Sequence, residues 1–326
     1  MQAPSVLPDV IRQHDDRLSP IGTLASRRVG AVGRHIALRR YLARQPSRKP
    51  PCLSHPILLF SSKSSRKQIG MKITILGCGT STGVPMVGCD CPVCVSDDPR
   101  DTRTRASLLM NYNEHTVLVD TSTDLREQAL RQHVRRIDAV LFSHAHADHV
   151  NGIDDLRGFY FIHKEVIPCF ASRETLATLQ SGFSYIFNEH EGSGYTPLLA
   201  AHEISGPFEL FGQKVIPIPL QHGRTASLGY RIGDFAYLTD CSAISEESLK
   251  QLQGLELLII DGLRWTEHPF HFNIAGAIAA ARQLNVPRTI ITHLTHQIAY
   301  SEEHKLPAGF ELAYDGMEFD LRQRTP

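Results

Sequence analysis

Short apolar runs recur from Met71 onward, some of them alternating with polar residues at a period of two, as in Lys72–Leu76, and such runs predict β-strands. The expected strands are Lys72–Leu76, Ser107–Asn111, Thr116–Asp120, Asp138–Ser143, Lys214–Leu220, Phe235–Thr239, Leu257–Ile260 and Arg288–Thr292. Helical spacing of apolar residues predicts helices at Thr123–Arg131, Asn151–Phe161, Arg173–Phe187, Ser245–Gln251 and Asn273–Leu284. Two strand-rich halves with intervening helices favour a sandwich of two sheets with helices outside.

Residues 1–70 show no such period and are rich in Arg and Ser. They hold 13 of the 34 Lys and Arg residues but only 3 of the 34 Asp and Glu residues. We predict a disordered basic extension over residues 1–70 and a folded domain over residues 71–326. The composition would also suit an organelle transit peptide, and translation that starts at Met71 is the alternative.

The remaining chain is acidic, with 21 basic and 31 acidic residues, although the formal net charge of the whole chain is zero. Proteins that grip a long nucleic acid usually present a basic surface, so we expect no stable nucleic-acid partner. No apolar run approaches the roughly 20 residues that cross a bilayer, and we expect a soluble protein without a membrane partner. Three closely spaced cysteines, at positions 89, 91 and 94, suit metal-bound thiolates in a reducing compartment and hence a cytoplasmic location.

Four strong metal ligands follow the predicted strand Asp138–Ser143 directly: His144, His146, Asp148 and His149. Imidazole and carboxylate groups together suit zinc, manganese or iron. In an extended loop His144 and His146 can point towards one cation, while Asp148 and His149 turn towards a neighbouring cation as a helix begins. Two cations about 3.5–4 Å apart can share a hydroxide and stabilise the attacking and leaving oxygens.

Three further candidate ligands also follow predicted strands, namely His222, Asp240 and His293. Strand ends that gather at one edge of a sheet can bring distant residues into one site. Asp240 is the natural bridge between the two ions. A lone His after a strand is more often an ordinary loop residue, and the His-x-His-x-Asp-His cluster is what changes that interpretation.

These residues together resemble the metallo-β-lactamase superfamily, which implies an αββα sandwich and hydrolytic chemistry. The segments 77–85, 292–297 and 306–318, together with the cysteine cluster, are similar to the phosphoribosyl 1,2-cyclic phosphate phosphodiesterase family of the carbon–phosphorus lyase pathway. That resemblance implies two manganese ions, although zinc is the alternative metal. It places His144, His146 and His222 on one ion, Asp148, His149 and His293 on the other, and Asp240 between them.

The resemblance also implies supporting roles around this centre. Asp120 matches an early acidic position and is expected to orient a ligand, with a turn-forming Asp as the alternative. We assign catalytic roles to Asp148 and His271, and His271 would contact phosphate or protonate the leaving oxygen. His268 is close enough in sequence to compete for that role.

A second metal site is predicted at Cys89, Cys91 and Cys94. A closed structural zinc site needs four ligands, and His296 is the best candidate for the fourth, as the resemblance also implies. A redox pair or free thiols are the alternative. Closed coordination would make this zinc a structural element near the active site rather than a reagent.

The expected function is a metal-dependent phosphodiesterase that uses a hydroxide bridging two metals to hydrolyse a small cyclic phosphodiester, such as phosphoribosyl 1,2-cyclic phosphate. The alternatives are a nuclease of the tRNA 3′-processing type and a non-catalytic nucleotide-sensing module of the same fold. The resemblance also implies a homodimer.

Overall fold

The computed structural model describes residues 70–188 and 197–322, so the predicted disorder of residues 1–70 lies outside the described residues except for Gly70. The strands, in chain order, are β1 (Gly70–Gly77), β2 (Ser107–Tyr112), β3 (His115–Val119), β4 (Ala139–Leu141), β5 (Ile167–Ala171), β6 (Leu199–Glu203), β7 (Phe208–Leu210), β8 (Gln213–His222), β9 (Thr225–Ile232), β10 (Phe235–Leu238), β11 (Ala243–Ile244), β12 (Leu257–Asp261), β13 (Arg288–Thr292), β14 (Phe310–Leu312) and β15 (Glu318–Arg322). The α-helices are α1 (Leu125–Arg131), α2 (Ala147–Val150), α3 (Leu156–His163), α4 (Arg173–Gly182), α5 (Ser184–Phe187), α6 (Glu246–Gln251) and α7 (Ile274–Gln283).

The strands form two mixed sheets. The first has the order β15-β1-β2-β3-β4-β5-β6, and the second has the order β11-β8-β9-β10-β12-β13-β14, with β7 paired to β8. In each sheet one half is antiparallel and the other half is parallel, from β3 to β6 in the first and from β10 to β14 in the second. The parallel strands all point their carboxyl ends to one edge, which is where ligands bind in such sheets.

Alternate residues of each strand face two different apolar layers, because successive side chains of a strand point to opposite faces. Val117 and Val119 pack in the layer between the sheets, whereas Leu118 packs against the helices outside the first sheet. In the second sheet Leu257 and Ile259 face the layer between the sheets, and Leu258 and Ile260 face α6 and α7. The structure therefore confirms the predicted αββα sandwich.

Each of the eight predicted strands is present, with boundaries shifted by up to two residues. The sequence pattern missed seven strands, namely β5, β6, β7, β9, β11, β14 and β15. Several of these are only two or three residues long, and Pro168 and Gly229 lower the strand propensity of β5 and β9. Such segments become strands because they pair with neighbouring strands in the sheet, and their own residues only weakly favour strand structure.

The prediction of one helix over Asn151–Phe161 was wrong. The structure has α2, a 3₁₀ helix at Ile153–Asp155 and then α3. Gly152 interrupts the helix where its backbone packs against the Ser122 carbonyl, and a Cβ added there would lie 2.0 Å from that oxygen. The helix predicted at Arg173–Phe187 is likewise divided, into α4 and α5. Within the described ranges, no helix combines the length and the apolar character that a bilayer span requires.

Candidate metal centre

The predicted ligands come together where strand ends of both sheets meet. His144 and His146 follow β4 of the first sheet, whereas His222, Asp240 and His293 lie at the ends of β8, β10 and β13 of the second sheet. Asp240 and His293 adopt the left-handed backbone conformation, with φ of 52° and 61°. Such a conformation is uncommon outside glycine and turns the chain sharply, so both side chains leave the sheet edge and enter the site.

The first group of ligands surrounds one carboxylate oxygen of Asp240. Its Oδ2 atom lies 3.8 Å from Nε2 of His144 and 3.6 Å from Nε2 of His222. His146 presents Nδ1 at 3.3 Å from Nε2 of His222. One donor atom from each of these four residues lies within 4.8 Å of the others, so the group could hold one metal ion.

The second group surrounds the other carboxylate oxygen of Asp240. Its Oδ1 atom lies 3.1 Å from Nε2 of His149 and 3.2 Å from Nε2 of His293. Oδ2 of Asp148 lies 3.4 Å from Nε2 of His149 and 3.8 Å from Nε2 of His293. Bonds of about 2.0–2.2 Å from one cation to nitrogen and oxygen would place neighbouring ligand atoms about 3.0–3.5 Å apart, close to these separations.

Hydrogen bonds fix which ring nitrogen of His149 and of His222 faces the site. His149 Nδ1 donates to Oδ2 of Asp120 at 2.7 Å, because a carboxylate oxygen can only accept. His222 Nδ1 donates to the carbonyl oxygen of Phe270 at 2.8 Å. With the proton on Nδ1, Nε2 of each ring is left with a lone pair for a cation.

Ser143, which the sequence did not single out, extends the same arrangement to His144. Its hydroxyl donates to Oδ2 of Asp120 at 2.7 Å and therefore accepts from Nδ1 of His144 at 3.0 Å. The Ser143 amide also donates to Oδ1 of Asp120 at 2.7 Å. Asp120 is thus linked by hydrogen bonds to one histidine of each group, directly to His149 and through Ser143 to His144.

The side chains fit divalent cations in two respects. Among the described residues, the buried Nε2 atoms of His144, His149 and His293 have no hydrogen-bond partner. Burial opposes a charge on His293, but the carboxylates of Asp240 and Asp148 outweigh burial and raise its pKa to about 9. Burial also opposes a charge on Asp148, but its histidine neighbours hold the pKa of that carboxyl far below its ordinary value. The carboxylates therefore attract positive charge to this point.

His271 lies at the rim of this centre. Its Nδ1 atom donates to Oδ2 of the buried Asp261 at 2.7 Å, and its ring stacks on His293 with centroids 4.9 Å apart. Asp240, His271 and His293 each offer an atom within 4.8 Å of the others. The neighbouring His268 instead accepts a hydrogen bond from the Phe270 amide at 3.3 Å. The structure therefore places His271 beside the candidate ligands.

Sequence reasoning missed Asp261, the partner of His271. It is the last residue of β12, is fully buried, and its Oδ2 atom also accepts from the Cys241 amide at 2.8 Å. Its position at the end of a buried strand is the same signal that identified Asp240.

The cysteine cluster lies in a separate loop. Nδ1 of His296 is 3.3 Å from Sγ of Cys89, 3.4 Å from Sγ of Cys91 and 3.5 Å from Sγ of Cys94. Zinc bonds of about 2.3 Å to sulfur and 2.0–2.1 Å to nitrogen, at a tetrahedral angle, would separate S and N by about 3.6 Å. The backbone amide of Cys94 is the largest influence that lowers the pKa of the Cys91 thiol, to about 6. The four side chains therefore form a group that could hold a structural zinc.

One loop carries both His293 and His296, and hydrogen bonds from neighbouring segments stabilise it. Arg103 donates from Nη1 to the Thr295 carbonyl at 3.0 Å and pairs with the buried Asp101 at 3.1 Å. Leu294 donates its amide to the Cys78 carbonyl at 2.8 Å. These bonds fix the loop independently of either group of metal ligands.

Comparison with known proteins identifies the family. The beta-lactamase superfamily domain matches residues 115–294, which is more than half of the 326-residue chain. The crystal structure of a new diphosphatase from the PhnP family superposes with a TM-score of 0.72 and 40% identity, covering 78% of this chain and 100% of that protein.

Two curated relatives extend this comparison. Coenzyme PQQ synthesis protein B of Xanthomonas campestris pv. campestris is 26% identical over 302 residues, which cover 77% of this chain and 100% of that protein. An octanoyltransferase of Porphyromonas gingivalis is 41% identical over 254 residues, which cover 76% of this chain. This chain spans about half of that relative, 51% of its length. With its buried His/Asp clusters, the chain is a metal-binding hydrolase that belongs to the metallo-β-lactamase superfamily and, within it, to the PhnP family.

Proposed function

We propose that this hydrolase is a phosphodiesterase that cleaves a small cyclic phosphodiester of ribose. The observation that carries the proposal is the position of Asp240, whose two carboxylate oxygens each face a different group of ligands. A bridging carboxylate of this kind is suited to two ions rather than one. Two-metal sites are typical of enzymes that displace an oxygen from phosphorus.

Some residues of the centre would bind the metal ions, and others orient the side chains that bind them. His144, His146, His222 and Asp240 would hold one ion, and Asp148, His149, His293 and Asp240 would hold the other, for which we propose manganese. Two such ions supply an activated water and neutralise charge on the attacking and leaving oxygens. Asp120 and Ser143 keep the histidine rings aligned, and this alignment contributes to metal affinity.

His271 is the proposed proton donor to the leaving oxygen. Because Asp261 holds its Nδ1 atom, Nε2 is the nitrogen that can carry a proton towards the substrate. Asp261 is buried and accepts two hydrogen bonds, so it also fixes the orientation of the imidazole ring. A buried carboxylate that orients a histidine in this way is a recurrent feature of proton-transfer sites.

Cleavage of a diphosphate bond is the second candidate, and the relative that is 40% identical favours it because that protein is a diphosphatase. Both reactions displace an oxygen from phosphorus, so the same two-metal arrangement would serve either one. They differ in the leaving group, which is an alkoxide in the cyclic ester and a phosphate in the diphosphate. A phosphate needs less protonation, so a role for His271 favours the ester.

We also propose that the substrate is a small molecule and that the protein does not hold a nucleic acid. The excess of acidic residues after residue 70 supports this, because phosphate neutralisation by basic residues supplies most nucleic-acid affinity. The same reasoning makes the tRNA-processing alternative weaker. A homodimer, a cytoplasmic location and a structural zinc at Cys89, Cys91, Cys94 and His296 complete the proposal.

The test is a substrate panel with the purified full chain, stripped with a chelator and reloaded with manganese or zinc. The panel contains ribose 1,2-cyclic phosphate, 2′,3′-cyclic AMP, adenosine diphosphate and a tRNA precursor. We expect a phosphate monoester product from the cyclic esters. Release of inorganic phosphate from adenosine diphosphate alone would instead establish the diphosphatase, and hydrolysis of none of the four would defeat both proposals.

A further inference from the structure

We propose that Phe270 is a stacking surface at the mouth of the metal centre, and that it selects substrates carrying a planar base. The inference rests on the proposed function, since it names the substrate class of the same site. A cyclic nucleotide or a nucleoside phosphate would lay its base on this ring while its phosphate reaches the ions.

The first observation is the exposure of Phe270 at this location. Phe270 is 45% exposed, although burial of a phenyl ring normally stabilises a protein. Single exposed apolar side chains are common on proteins and need no explanation by themselves. This one differs by position, because its ring centroid lies 6.5 Å from that of His222, a candidate ligand of the first ion.

The second observation is that the Phe270 ring packs against neighbouring residues. A Cβ added at Gly223 would lie 1.9 Å from Cδ1 of Phe270, so the ring rests directly on the backbone of the turn between β8 and β9. His268 contacts the ring edge-to-face, with centroids 5.8 Å apart at 72°. A glycine at position 223 is what allows this close approach.

The third observation is that the loop behind Phe270 is rigidly held. Arg264 donates from Nη2 to the Glu267 carbonyl at 2.6 Å, and the Phe272 amide donates to the Cys241 carbonyl at 2.6 Å. The Phe270 carbonyl itself accepts from His222. A ring held in advance loses little freedom when a base stacks on it, so its contribution to affinity is retained.

Stacking on an aromatic ring is tolerant of base identity and contributes roughly 5- to 150-fold per base to affinity. The proposed surface would therefore distinguish substrates with a base from those without one. It would not by itself distinguish adenine from uracil.

The experiment measures binding by calorimetry on the metal-loaded full chain, with adenosine 2′-monophosphate and inorganic phosphate as probes. Phe270→Ala and Phe270→Leu should weaken binding of the nucleotide about fivefold or more and leave phosphate binding unchanged. Phe270→Tyr retains the ring and should bind like the wild type. Phe161→Ala is the matched control, because Phe161 on α3 is 49% exposed and does not contact the centre.

Steady-state kinetics gives a second measurement on the same variants. Phe270→Ala should raise KM for 2′,3′-cyclic AMP and leave KM for ribose 1,2-cyclic phosphate unchanged. Equal affinity of wild type and Phe270→Ala for the nucleotide, equal losses for both probes, or no nucleotide binding by the wild type would each overturn the inference. If the nucleotide binds as expected but no diester is hydrolysed, the proposed function fails while the stacking surface stands.

Discussion

The His/Asp centre and the cysteine cluster are built in opposite ways. The His/Asp centre takes its seven side chains from the ends of four strands in both sheets and from α2, and most of them are buried. The cysteine cluster takes three of its four ligands from six consecutive residues of one loop, and all four are half-buried. A dispersed site needs the whole sandwich to exist, whereas a contiguous site needs little more than one turn and one histidine.

This difference indicates a catalytic role for the His/Asp centre and a structural role for the cysteine cluster. A site assembled from both sheets can hold two ions at a fixed spacing and leave room for a substrate, which is what chemistry requires. A closed site of three thiolates and one imidazole satisfies its metal fully and can only hold the chain together. Loss of a ligand should therefore affect turnover in the first site and stability in the second.

The strongest test of the distinction is Asp240→Ala. Loss of the bridging carboxylate should remove at least one catalytic ion and lower turnover by about 10³-fold or more, since metal stabilisation is worth several kcal/mol. Zinc at the cysteine cluster should remain, as elemental analysis would show. Asp234→Ala, at the opposite end of β10, is the control. Full turnover with two retained ions in Asp240→Ala would rule out the bridge.

The next largest effect is expected for His271→Ala, and it should depend on the substrate. General acid catalysis contributes about 10²–10⁴-fold, so cyclic esters with an alkoxide leaving group should lose most of that rate. An activated aryl phosphodiester should lose at least tenfold less. Equal losses on both would mean that His271 binds phosphate. A divergence in His268→Ala instead would transfer the role to that residue.

A smaller effect is expected for Asp120→Asn. The amide oxygen can still accept from His149, but the negative charge behind the histidines is lost. Affinity for the catalytic ions should fall about 10- to 100-fold, as for other residues that orient metal ligands. Metal titrations monitored by activity would measure this. Unchanged metal affinity would leave Asp120 with a role in folding alone.

The smallest effect on turnover is expected for Cys91→Ser, although its effect on stability should be large. Structural zinc contributes directly to folding, so the variant should lose about one zinc per chain and melt at a lower temperature. Its folded fraction should keep its turnover number, because Arg103 and Cys78 hold the loop of His293 independently. Cys169→Ser removes a buried thiol outside the cluster and should retain zinc. A wild type without zinc would disprove the structural site.

The layers of the fold and most of the candidate ligands follow from short-range patterns in the chain. A continuous apolar run such as Leu257–Ile260 predicts a strand that is buried on both faces, because successive side chains of a strand point to opposite faces. The ligands at 144–149 and the cysteines at 89–94 are recognisable because they lie close together in the chain. Local information was sufficient for these features.

No short-range pattern shows which oxygen of Asp240 faces which histidines, or that His271 pairs with Asp261. These pairings join residues on different strands, and their distances depend on the register and twist of both sheets. The seven missed strands have the same cause, since segments such as β14 and β15 are too short to form alone and become strands only beside β13 and β1. Local pattern specifies what a segment can become, whereas packing against distant segments specifies what it contacts.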